Sequence, residues 1–188
     1  RFGIDIWLTT TAMVNKARMA QANLGVKIHD VKDPAEALGP MFRQVVSTLL
    51  ELMEQHENIW KHVKGSMPVP RVGPDLHIEP KPFEINVDKL INDFRIGYSN
   101  WKEIWQKIIA PDNFKEIEAL TKKDKADFFL EIDIWAKTLY DLAAAYHHWQ
   151  GNRQLMVSLM TPLYFARVAS FVNLSLIHIS EPTRLRRI

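Results

Sequence analysis

One histidine stands where this sequence could do chemistry. His29 ends the stretch "AQANLGVKIH", residues 20–29, and Asp30 follows it. A lone histidine at a strand end is more often a satisfied structural residue than a ligand, so spacing alone makes no metal site. Lys27 lies two residues earlier, on the same side of an extended chain. The remaining candidates are weaker. His147 and His148 are adjacent in a helical pattern, so their rings project about 100° apart and chelate one ion poorly. They read as the polar end of an amphipathic helix. His56 and His62 fall on different helical faces, and Glu116 and Glu118 read as a solvated face. The chain has no cysteine, which excludes disulfides, thiolate metal sites and a Cys nucleophile. It has neither a Gly-x-Ser-x-Gly elbow nor a P-loop.

These residues need elements to hold them. "GIDIWLTTTAMVNKA" fits a helix through Ile6, Met13 and Val14, although Thr9, Thr10 and Thr11 weaken it. Residues 19–28 alternate, with Ala20, Ala22, Leu24, Val26 and Ile28 on the apolar side, which predicts a half-buried strand. Asp33 and Pro34 then start a long helix as cap and first residue. Leu38, Phe42, Val45, Leu49 and Leu52 supply its apolar face, and Gly39 and Pro40 should distort its first turns.

Residues 64–82 hold five of the ten prolines and cannot be regular helix; they read as a linker or surface strap. Helices return afterwards. Phe94, Tyr98, Trp101, Trp105 and Ile108 form an aromatic stripe at helical spacing. Pro111 and Asp112 open a short helix. Phe128, Ile132, Trp135, Leu139, Leu142 and Tyr146 share the face of another, and "RQLMVSLMTPLYFARVASFV" is apolar nearly all round, as the central helix of a bundle would be. Trp101, Trp105 and Trp135 read as core, with a sugar-stacking platform as the alternative.

Composition sets the outer limits. The 188 residues are 47% hydrophobic, enough for one sizeable core or two small ones. Pro162 and Arg167 interrupt the most apolar stretch, so a buried helix is expected there and no membrane span. No basic region followed by an apolar run marks a signal peptide, and a cytoplasmic setting is expected. Residues 174–184, "LSLIHISEPTR", resemble the translation of a sequencing-library adapter, and residues 174–188 are expected to be a non-native tail. That tail holds three arginines and one glutamate, so the net charge of +2 belongs to it and the remainder is neutral. The charge gives no support for nucleic-acid binding.

Three separated segments carry a resemblance: "RFGID" at residues 1–5, "AQANLGVKIH" at 20–29 and "LGPMFRQV" at 38–45. Their order and content resemble the end of the catalytic domain of retaining glycosyltransferases of the glucosyl-3-phosphoglycerate and mannosylglycerate synthase kind. The fold implied is of the GT-A type, which binds nucleotide-diphospho-sugars. The resemblance implies a divalent cation, Mg²⁺ or Mn²⁺, bridging the donor's phosphates, with His29 as one ligand and an upstream Asp-x-Asp opposite. It implies that Asp5 lies near the acceptor and the anomeric carbon, that Lys27 reaches the diphosphate, and that Gly3 and Lys32 take substrate-side places. Where the phosphoglycerate enzymes continue Arg-Asn-Arg after the histidine, Val31 and Lys32 stand in the Asn and second Arg places. That leans toward free glycerate or a similar small hydroxy acid as acceptor. No Asp-x-Asp and no Gly-rich nucleotide-binding start precede these segments.

The expected fold is therefore mainly α with a small α/β remnant. Residues 1–63 are read as the end of a GT-A domain, 64–82 as the linker and 83–173 as a helical domain. A fragment of this kind is expected to be inactive alone, and a homodimer is one assembly to test. The competing reading is a non-catalytic helical association domain.

Overall fold

The computed structural model describes residues 2–24, 34–74 and 85–180, leaving out the side chains of 34–38 and 175–180. The described chain is mainly helical. It divides into two compact units, residues 1–84 and 85–188.

In the first unit, α1 (Ile4–Val14) packs on α2 (Pro34–Gln55). The helix α1 forms despite its threonine run; propensity differences of about half a kcal/mol per residue are readily overridden by context. It ends where Lys16 turns left-handed at φ 57 and the Ala17 N–H reaches the Ala12 carbonyl at 2.9 Å. In α2 the proline at the first position needs no N–H partner, and the helix continues through Pro40. Its inward residues include Gly39, Ser47, Leu50 and Leu52, while Leu49, expected inside, is exposed. The neighbour Leu50 takes the buried place, a rotation of one residue that the apolar pattern could not distinguish. A short helix, α3 (Glu57–Trp60), folds back so that the Trp60 indole N–H donates to the Met53 carbonyl at 2.6 Å.

The Pro-rich strap is not merely a linker. Its β2 (Arg71–Val72) pairs in parallel with β1 (Gln21–Ala22), matching Gln21 to Arg71 and Ala22 to Val72. The Gln21 N–H donates to the Pro70 carbonyl at 2.8 Å, and the Asn23 amide to the Pro74 carbonyl at 3.3 Å. Proline suits such an edge because it offers a carbonyl without an N–H. The half-buried strand expected from residue 19 onward is corrected within the described residues. Only residues 21 and 22 are strand, both are exposed, and Leu24 is 93% exposed. Alternation buries one face only when a layer covers it, and nothing described covers this ladder.

The second unit is a helical bundle: α4 (Val87–Ile108), α5 (Pro111–Leu120), α6 (Ile132–His148) and α7 (Arg153–Ser180). No strand occurs among its described residues. The Asn86 side chain caps α4 by accepting from the Lys89 N–H at 3.0 Å. Phe94 and Trp105 are fully buried on its stripe, whereas Trp101 and Ile108 are half-buried. At Gly97 the backbone of α4 meets the Pro162 ring of α7 so closely that a Cβ would overlap it. This glycine lets the two helices approach.

α5 begins at Pro111, as its sequence requires. The Asp141 carboxylate from α6 caps its start, accepting from the Ala110 N–H at 3.0 Å and the Asn113 amide at 2.9 Å. Arg95 holds the far end through the Thr121 and Lys123 carbonyls, at 3.1 and 2.6 Å. Phe128 is buried as expected but precedes α6, and Ile132 points to solvent. The periodicity joined a buried loop residue to the stripe of the helix that follows it.

α7 is the central helix. Met156, Val157, Leu159, Leu163, Ala166 and Ala169 are fully or nearly fully buried. Its polar residues grip the segment before α6. Arg167 donates to the Leu130 carbonyl at 2.8 Å, and Ser170 accepts from the Leu130 N–H at 2.8 Å. Asn173 donates to the Lys125 carbonyl at 2.9 Å. Among the described residues α7 is the one helix long and apolar enough to cross a membrane by length and composition, and 61% of its apolar window is buried. Helix continues into the adapter-like segment as far as Ser180; no proline or glycine stops it before Pro182.

Candidate functional site

Of the residues to which the resemblance gives a role, the structure describes Gly3 and Asp5. Lys27, His29 and Lys32 lie outside the described residues, as does Asp30. Gly3 has φ 95, a left-handed conformation that L side chains rarely adopt, and its carbonyl accepts from the Trp7 N–H at 3.1 Å to start α1. A Cβ on Gly3 would lie 2.6 Å from the Thr48 hydroxyl of α2 and 3.1 Å from the Gln44 carbonyl. Only glycine brings the start of α1 this near to α2. The close approach orients Asp5 in the first helical turn, exposed to solvent.

The same corner joins two of the three sequence segments. The Phe2 N–H, from "RFGID", donates to Gln44 Oε1, from "LGPMFRQV", at 3.1 Å. Thr48 Oγ1 donates to the Gln44 carbonyl at 3.0 Å and secures the turn beneath it. Gln44 thus positions the residues before Asp5. It was visible in the sequence only as one letter of a motif; nothing in its type or spacing announced the bond.

A second cluster lies in the helical unit. Lys107, Asp141, His148 and Trp149 line an open cleft of about 420 Å³. Its chemistry does not converge. Asp141 Oδ2 already accepts two hydrogen bonds as the cap of α5. The Trp149 indole N–H is buried without a partner, but it faces Gly151 closely enough that a Cβ there would come within 2.9 Å. His147 and His148 are exposed, with ring centroids 4.8 Å apart and planes at 67°. Among the described residues no three His, Asp or Glu side chains form a group able to hold a metal ion.

The aromatic stripe packs inward at Phe94 and Trp105. Trp105 is fully buried, so its faces cannot receive a sugar; Trp101 and Trp135 are half-buried. Tyr98 lies between Trp105 and Phe114, with centroids at 6.2 and 6.1 Å. Glu118, read from sequence as merely solvated, accepts from the Tyr98 hydroxyl at 2.8 Å. Burial, and then this bond and the carboxylate's charge, push the Tyr98 phenol up to about 12. The pair joins α4 to α5, and such a pairing across elements has no signature in either helix alone.

The chain matches no protein-family model, no curated protein and no solved structure. Function therefore rests on the residues and their geometry.

Proposed function

We propose that residues 1–63 belong to the end of a GT-A-type catalytic domain, in a metal-dependent retaining glycosyltransferase that moves a sugar from a nucleotide-diphospho-sugar to glycerate, 3-phosphoglycerate or a similar small hydroxy acid. The observation that carries the reading is the ordered trio of segments, and the Phe2–Gln44 hydrogen bond between the first and third supports it. Segments that are 42 residues apart at this bond meet at the glycine that orients Asp5.

In this reading Asp5 serves the acceptor side, where a carboxylate can take a hydrogen bond from an acceptor hydroxyl or stabilise positive character at the anomeric carbon. Gly3 and Lys32 lie on the substrate side, and Lys27 offers an ammonium to the diphosphate. His29 offers one neutral imidazole to Mg²⁺ or Mn²⁺. The cation, when bound, would offset charge on the departing diphosphate. One imidazole is not a metal site, so the reading requires further ligands from an Asp-x-Asp and a nucleotide-binding half joined to this chain.

The test is sugar transfer by such a longer polypeptide, with nucleotide-sugars offered to glycerate and to 3-phosphoglycerate, with and without Mg²⁺ or Mn²⁺. Metal-dependent transfer to a small hydroxy acid is expected. No transfer to any acceptor of this class would overturn the reading. Strong preference for phosphoglycerate would overturn only the inference from Val31 and Lys32.

The second reading, a helical association domain, is favoured by α1. Ile4, Trp7 and Leu8 share one of its faces and are 52%, 46% and 54% exposed. An apolar face of this kind can mark an interaction surface. Concentration-dependent self-association that is lost in Trp7→Ser, with no transfer activity in the longer polypeptide, would favour it.

A further inference from the structure

We draw no further inference here: the strongest candidate, the outward apolar face of α1 formed by Ile4, Trp7 and Leu8, carries nothing because nothing in the structure shows what covers it.

Discussion

The two units use their apolar residues in opposite ways. Among the described residues of the first, the buried large apolar side chains are Leu50 and Leu52, while α1 buries none. The second closes α7 inside α4 and α6 and fully buries Phe94, Trp105, Leu142 and Met156. The residues with proposed chemistry lie in the unit with the sparser core. Burial supplies stability at roughly 25 cal/mol per Å² of apolar surface, so among the described residues the helical unit holds the larger share of it. Among the described residues, core packing therefore differs between the two units, and a substitution in each tests it.

The sharpest way to break that contrast is to truncate one tryptophan in each unit. Trp105→Ala removes a fully buried indole and should cost about 3–5 kcal/mol in urea unfolding followed by circular dichroism. Trp7→Ala removes a half-exposed one and should stay within about 0.5 kcal/mol. Equal losses would show that the first unit is packed as tightly as the second.

A smaller effect is expected at Gly3. Gly3→Ala forces a side chain into a left-handed position against Thr48 and should cost about 1–2 kcal/mol, read as greater proteolytic cleavage within residues 1–60 while the helical unit stays resistant. Unchanged cleavage would mean that α1 leaves α2 without strain.

The mildest test concerns alkaline pH. The Tyr98 phenol is raised from 10.0 to about 12 in the folded chain, by burial first and then by Glu118. Folding thus favours the neutral phenol. Its stabilisation is whole below pH 10 and is lost as pH rises from 10 to 12. Tyr98→Phe should lack this component, so wild type and variant should converge over that window. Parallel pH profiles would show that the phenol titrates normally.

Sequence reasoning reached furthest where one local signal decides the outcome. Pro34 and Pro111 start helices because the first position needs no N–H partner, and the stretch that forms α7 is apolar nearly all round, as a buried helix is. It failed where a distant layer decides. Leu24 alternates correctly yet is 93% exposed. Phe128 shares the periodicity of α6 without belonging to it. Arg167 reads as a polar interruption of an apolar helix, but it holds a backbone carbonyl of the preceding loop. At the candidate site, "RFGID" and "LGPMFRQV" were legible as segments, but their meeting through Gln44 was not, because it depends on how α1 crosses α2.

The central functional claim is that His29 serves a divalent cation in sugar transfer. In a longer polypeptide that joins this chain to an Asp-x-Asp half, His29→Ala should lower the transfer rate on the order of a hundredfold, as loss of one group stabilising transition-state charge does. It should also flatten the dependence on added Mg²⁺ or Mn²⁺. A variant with the wild-type rate and the wild-type metal response would contradict the claim and leave His29 a structural residue at the end of its segment.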